Sequence, residues 1–256
     1  GIKDTENKGT IEFENVSFTY PNGEEPVIKD VSFSGKKGEV IAFIGSTGNG
    51  KSTLINLIPR FYDVTKGSIK IDGVDVRDYD LKYLRKKIGF IPQKTLLFTG
   101  SIANNIKFGK KDAEYKEVED SAKIAQAYEF ISNKPNKFDE IITEGGSNVS
   151  GGQKQRLSIA RAIVRKPDIY IFDDSFSALD FKTDAILRKE LRSETKDAIV
   201  LIVAQRIGSI MDADKIIVLN EGEVVGIGTH KELIKNCPIY HEIATSQLTE
   251  EELANE

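Results

Sequence analysis

The chain has 256 residues, 39% hydrophobic and 30% charged, with 36 Lys and Arg against 40 Asp and Glu and a net charge of -4. That length suits one large domain, or a domain with subdomains, around a full core. Its scattered basic residues leave no cationic face for nucleic acid, its one cysteine, Cys237, excludes an internal disulfide framework and fits a reducing, cytosolic setting, and its longest apolar run, Ala198 to Ala204, falls far short of the roughly 20 residues of a membrane span.

Residues 1–10 are polar and aperiodic, and read as a linker or a cloning remnant ahead of a domain over 11–247. Strand-like runs follow at "TIEFENVSFTY", "VIKDVSF", "EVIAFIG", "SIKIDG" and "KIGFIPQ", separated by Gly, Pro and Asn turns. Over about 100–165 the pattern turns helical, with apolar residues at three- and four-residue steps in "YKEVEDSAKIAQAYEFI" and "GGQKQRLSIARAIVR". Strands return at "DIYIFD", "AIVLIVA", "KIIVLN" and "EVVGIG", with a helical segment after Leu179, and 248–256 forms an acidic tail. Strands alternating with helices imply a mostly parallel sheet covered on both faces, with the helical block inserted into it.

The strand "EVIAFI" runs directly into "GSTGNGKST", in which Gly45, Gly50, Lys51 and Ser52 match the phosphate-loop pattern. Backbone N–H groups of Gly45, Ser46, Thr47, Gly48, Asn49, Gly50 and Thr53 can wrap phosphates at the start of the following helix. Lys51 reaches the β- and γ-phosphates, and Ser52 Oγ can ligate Mg²⁺. A second acidic element ends the apolar run of "IYIFDDSFSALD". Asp173 stands where a strand-end carboxylate orients the metal, or where an aspartate caps a helix, and Asp174 stands where a hydrolytic enzyme places its base.

Between these elements, "SGGQ" from Ser150 to Gln153, followed by "KQRLSIARA", resembles the signature motif of ATP-binding-cassette (ABC) ATPases. The resemblance runs from Ile11 to Gln247 and implies an α/β, RecA-like phosphate-loop core with an antiparallel β subdomain and a helical subdomain. It also implies ATP and Mg²⁺ as ligands. Within it, Tyr20 of "FTYPNG" looks like the adenine-stacking aromatic, and Gln93 of "FIPQ" like the glutamine that contacts the metal. "SALD", Ser177, Ala178, Leu179 and Asp180, looks like the loop that meets a partner subunit. As bare residues, Tyr20 also suits a strand end, Gln93 a surface turn and Asp180 a helix N-cap. Ser150, Gly151, Gly152 and Gln153 open a helix, a second anion-binding surface, which in the family closes over the partner's γ-phosphate.

"TEGG" and "LFTGSIANNI" look like the exporter branch. That implies a transmembrane domain upstream in the same polypeptide and a place at the cytoplasmic face of the cell membrane. Two residues depart from the family pattern: Asp174 replaces the usual Glu after the metal aspartate, and Gln205 in "LIVAQRIGSI" replaces the usual His. A general base must sit within roughly 2.6–3.2 Å of its water, and Asp is one methylene shorter than Glu. Gln205 can donate an N–H to the γ-phosphate but cannot carry charge or pass a proton as imidazole does. Asp174, Gln205 and Gln93 therefore read as a slow catalytic set in one half of a heterodimer. Rival readings are a fully active homodimeric subunit, a soluble ABC ATPase of chromosome or repair machinery, and an ATP-binding clamp without turnover. The short interval between phosphate loop and signature leaves no room for the long coiled coil of the second.

Overall fold

Apolar residues at every second position set the strands of the first half of the chain. The computed structural model describes residues 1–256 except 7, 46, 47, 49, 250, 251 and 254–256. Its first half runs β1 (Thr10–Phe18), β2 (Ile28–Lys36), β3 (Val40–Gly45), α1 (Gly50–Asn56), β4 (Lys66–Ile71), β5 (Val74–Asp75), α2 (Leu81–Lys86) and β6 (Ile88–Ile91). The middle holds β7 (Gly100–Ser101), α3 (Ile102–Lys107), α4 (Tyr115–Ile124), α5 (Tyr128–Ser132), β8 (Ile141–Ile142) and α6 (Gly151–Val164). The last part holds β9 (Ile169–Asp173), α7 (Phe181–Glu194), β10 (Ile199–Val203), β11 (Lys215–Asn220), β12 (Glu223–Gly228), α8 (His230–Asn236) and α9 (Pro238–Gln247).

The strands sort into a four-stranded antiparallel sheet of order β2-β1-β4-β5 and a six-stranded sheet of order β12-β11-β3-β10-β9-β6. In the larger sheet only β12 runs antiparallel to its neighbour. Its central strands are buried on both faces, which is why they read as unbroken apolar runs. Ile41 and Phe43 of β3, Ile169 and Ile171 of β9, and Leu201 of β10 face the antiparallel sheet and α1. Ala42 and Ile44, Tyr170 and Phe172, and Val200 and Ile202 face the helices on the other side. An aromatic line from Phe13 to Phe33 at 4.4 Å, then from Phe33 to Phe43 at 5.4 Å, joins the two sheets.

A buried ion pair makes a second joint. Lys87, 7% exposed, donates to Asp72 at 3.1 Å and to Asp168 at 3.3 Å. Burial opposes the ammonium charge, but the hydrogen bond and charge of Asp72, with Asp168 behind it, hold the Lys87 pKa above its ordinary value. Asp72 also accepts from the Gly9 N–H at 2.8 Å. Within the segment read as a linker, the Ile2 N–H donates to the Asp78 carbonyl and the Asp80 N–H donates to the Ile2 carbonyl, each at 2.8 Å.

The helical block departs from the apolar periodicity at two places, a break in its first helical run and a short strand pair. "YKEVEDSAKIAQAYEFI" forms two helices rather than one, because Gln126 turns to φ 61 between α4 and α5. Arg156 of α6 braces that turn by donating to the Gln126 carbonyl at 3.0 Å. The short pair β7–β8 and the helices α8 and α9 are further elements that the periodicity did not announce.

Candidate functional site at the strand ends

Four adjacent parallel strands deliver the site. In the order β3-β10-β9-β6, register pairs Phe43 with Val203, Val203 with Asp173, and Phe172 with Ile91. Gly48 and Lys51 beyond β3, the turn at Gln205, the Asp173–Asp174 pair and Gln93 therefore come side by side in the crevice at the carboxyl ends of the sheet. They line one cavity of about 340 Å³.

Gly45 ends β3 where a Cβ would collide with the Leu219 carbonyl of β11, so the strand can pass there only as glycine. Gly48 holds φ +154 with open space beside it, a backbone that a side chain would strain. Ser46, Thr47 and Asn49, predicted phosphate contacts, lie outside the described residues. Lys51, in the first turn of α1, is 9% exposed and donates to the Gly45 carbonyl at 3.3 Å. Burial lowers its pKa, with the Asp174 charge working against that. Thr53 lies below it, its Oγ1 2.7 Å from the hydroxyl of Tyr20. The Tyr20 ring meets Phe18 edge-on at 4.8 Å and Tyr62 at 5.2 Å.

Ser52 Oγ donates to Asp173 Oδ1 at 3.1 Å, so two of the three residues expected at the metal already touch. A hydroxyl and a carboxylate are hard oxygen donors, and Mg²⁺ takes its remaining ligands from phosphates and water. Among the described residues no group of three or more His, Cys, Asp or Glu is placed to hold a metal ion. Burial raises the Asp173 pKa, with the Ser52 hydroxyl opposing.

Asp174 lies at φ 50, the left-handed region that aspartate tolerates better than most residues, and its N–H donates to the Val203 carbonyl at 2.7 Å. Burial and the neighbouring Asp173 charge push its pKa up, against Arg206, the Gln205 N–H and Lys51. Gln93 Nε2 donates to the Asp174 carboxylate at 3.2 Å, so the free chain sets Gln93 against the second acid of the pair rather than against Ser52 and Asp173, the other two residues expected at the metal. Gln205 lines the same cavity, with its side chain exposed.

The signature residues stand apart: none of 150–153 lines this cavity. Ser150 and Gln153 close a capping box on α6, the Gln153 N–H donating to Ser150 Oγ at 3.2 Å and the Ser150 N–H to Gln153 Oε1 at 3.1 Å. Gly151 lies on the exposed surface beside Ala178. Asp180 caps α7, accepting from the Thr183 N–H at 2.8 Å, and these bonds hold its carboxyl below the usual range.

Several side chains that tie these pieces together carry no motif. Gln155 of α6 accepts from the Ala178 N–H at 2.9 Å, joining the signature helix to the 177–180 loop. Arg206 donates to the carbonyls of Phe176 at 2.7 Å and Leu179 at 3.0 Å, and to Asp184 at 2.8 Å. Ile243 and Gln247 of α9 line the cavity from the far end of the sequence. An arginine just after a strand end was a signal for Arg206; nothing local singled out Gln155 or Gln247.

A glycine-rich turn between strand and helix, an inward lysine, a hydroxyl and a strand-end carboxylate define a phosphate-loop NTPase with a RecA-like core. Residues 28–177 match the model of the family described as ABC transporter. An uncharacterized ABC transporter ATP-binding protein of Bacillus subtilis (strain 168), YfiB, is 46% identical over 243 residues, covering 95% of this chain and 42% of that protein. A putative multidrug export ATP-binding/permease protein of Staphylococcus aureus (strain NCTC 8325 / PS 47) is 45% identical over 240 residues, covering 94% of this chain and 42% of its own length. A solved bacterial Atm1-family ABC exporter with ATP bound matches with a TM-score of 0.90 at 35% identity, over 94% of this chain and 42% of that one. The chain belongs to the ABC transporter family and has the fold of its ATP-binding domain. It spans about two fifths of the length of these relatives, and among its described residues no helix is long and apolar enough to cross a membrane.

Proposed function

We propose that the chain is the ATP-binding domain of an ABC exporter, working at the cytoplasmic face of the cell membrane on membrane segments joined upstream in the same polypeptide. The observation that carries this reading is the convergence of Lys51, the Ser52–Asp173 pair and Asp174 in one cavity. The exporter assignment draws on the similarity to a protein named for multidrug export and to an Atm1-family exporter. Exposed apolar side chains add support. Leu96 is 65% exposed, Phe108 56% and Phe98 40%, with Arg161 donating to the Leu96 carbonyl and lying over both rings, a patch suited to helices of a membrane portion.

In this reading the Lys51 ammonium meets the β- and γ-phosphates of ATP, whose charge favours its protonated form against burial. Bound through Ser52 and Asp173, Mg²⁺ would neutralise phosphate charge and template the in-line geometry. Asp174 and Gln93 face the position of the attacking water, and Gln205 donates an amide N–H toward the γ-phosphate. With a carboxylate one methylene short and an uncharged amide in place of imidazole, this site turns over slowly. Its signature, Ser150 and Gly151, completes the site of a second, non-identical ABC subunit paired head to tail. One observation favours the alternative of a fully active subunit in a homodimer: burial and Asp173 raise the Asp174 pKa, and a more basic carboxylate is a better general base.

Phosphate release at saturating MgATP separates the two. The unaltered chain should be slow, and Asp174→Glu with Gln205→His should raise the rate more than either change alone, because both act on one transition state. General-base positioning is worth roughly 10²–10⁴-fold. Strain from a longer side chain at a left-handed backbone trims that gain, so about tenfold is expected. A fast unaltered chain, or a double variant no faster than it, rejects the slow-site reading. Calorimetry on Lys51→Ala is the control: MgATP affinity unchanged by that substitution rejects the site itself.

A further inference from the structure

The segment carrying Gln205 is held by a residue from the last turn of α9. Gln247 Nε2 donates to the Gln205 carbonyl at 2.8 Å, and Gln247 Oε1 accepts from the Ile207 N–H at 2.8 Å. One planar amide thus clamps the main chain on both sides of Arg206. The chemistry of its partners fixes its orientation, since only the nitrogen can donate to a carbonyl and only the oxygen can accept from an N–H.

The clamp falls where the sheet stops holding the chain. The ladders from β10 to β3 and β9 end at Val203, and the Ala204 N–H reaches the Phe43 carbonyl only at 3.4 Å. Beyond that point the Gln205 carbonyl rests on Gln247. The helix that supplies the clamp is itself fixed, with Tyr240 and Ala244 fully buried at 0% exposure. Gln247 lines the cavity beside Asp174 and Gln205.

We infer that Gln247 is a positioning residue for the nucleotide site: by fixing the main chain at 205 it aims the Gln205 side chain at the γ-phosphate. It touches no phosphate itself, and the inference rests on the nucleotide reading of the cavity. A misplacement of about 1 Å at such a group is enough to cost about 10²-fold in rate.

The test uses the full chain with Gln247→Met, which keeps length but loses donor and acceptor, and Gln247→Glu, which keeps the acceptor for the Ile207 N–H. Phosphate release should show kcat lowered about tenfold by the Met change with KM within about twofold, and the Glu variant in between. In a Gln205→Ala background the Met change should cost less than about twofold, because the group it aims is gone. Independent of turnover, amide hydrogen exchange at Ile207 should quicken about tenfold in the Met variant with MgATP bound. Equal rate losses in both backgrounds, a loss carried by KM, or unchanged exchange at Ile207 would each overturn the positioning role. If the unaltered chain does not bind MgATP, the nucleotide reading falls and takes this role with it. If it binds and Gln247→Met changes nothing, only this role falls.

Discussion

Three charged side chains in one crevice, Lys51, Asp173 and Asp174, each have a pKa moved toward the neutral form, and burial is the leading cause in every case. A site in this condition is poised for a ligand that brings both charges, a cation for the carboxylates and an anion for the ammonium. The sign of the resulting pH dependence follows. A carboxyl whose folded pKa is raised holds its proton longer when folded than when unfolded. Its contribution to stability is therefore present at low pH and lost as pH rises from the ordinary carboxylate range through the raised folded value. In the proposed nucleotide site Mg²⁺ would need Asp173 ionised, so binding would displace that proton, and affinity for MgATP should fall as pH drops toward that value. Calorimetric titrations carried from neutral pH down toward the raised Asp173 pKa should show proton release on binding that grows toward the acid end. The phosphates of the nucleotide titrate there too, so Asp173→Asn supplies the baseline. Identical pH dependence in that variant would mean that Asp173 is not the group displaced.

At the scale of elements, the stability of the site rests on how α7 and the turn after β10 are tied together. Asp184 on α7 is 2% exposed and accepts from Arg188 at 2.7 Å, Arg206 at 2.8 Å and Ser209 at 2.6 Å. Removing it leaves two guanidinium groups without their shared partner. Asp184→Ala should cost about 2–4 kcal/mol in urea unfolding, below the full value for a buried pair because both arginines keep some solvent. Asp120→Ala, at an exposed pair on α4 with Lys116, should leave the midpoint unchanged. A loss at Asp184 no larger than at Asp120 would mean that the network is ornamental. The same ties explain what could and could not be read from the sequence. The family's phosphate-loop pattern was legible because glycines and a lysine stand at fixed offsets in one stretch, and the family match bears out the membership it implied. The central strands were legible because burial on both faces leaves continuous apolar runs. Arg206 was marked only by its place just after a strand end and Gln247 by nothing, since their partners at Leu179 and Ile207 lie 27 and 40 positions away and no local pattern records such a contact. The break between α4 and α5 was hidden for a related reason: apolar periodicity runs on through Gln126, whose turn is braced by Arg156 from α6. For α8 and α9 the signals were present, a threonine cap at Thr229 and proline in the first turn at Pro238, but no apolar period drew attention to them.

For the whole molecule, the separation of the signature from the cavity has a consequence that only an assembled transporter can express. In the proposed head-to-tail pairing, Ser150 and Gly151 meet the partner's γ-phosphate while Asp174 faces a nucleotide that turns over slowly. Within the free chain Gly151 is replaceable: a Cβ there meets only the Ala178 side chain, at 3.8 Å, an ordinary van der Waals distance. Gly151→Ala at the first position of α6 should therefore leave the stability of the isolated chain unchanged or raise it by up to about 1 kcal/mol, as glycine-to-alanine changes in helices do. In the complex the same methyl stands where backbone must approach phosphate, and ATPase activity should fall by about 10²-fold, the scale of losing one such donor. Asp174→Asn should cost the complex less than about threefold, because the group it disables belongs to the slow site. Thermal unfolding of the chain, together with ATPase rates of the assembled transporter carrying each substitution, distinguishes the two effects. If Gly151→Ala unfolds the free chain, its loss of activity says nothing of a partner. If both substitutions abolish ATPase in the complex while leaving the free chain intact, this chain's own site performs the hydrolysis, and the homodimeric reading replaces the asymmetric one.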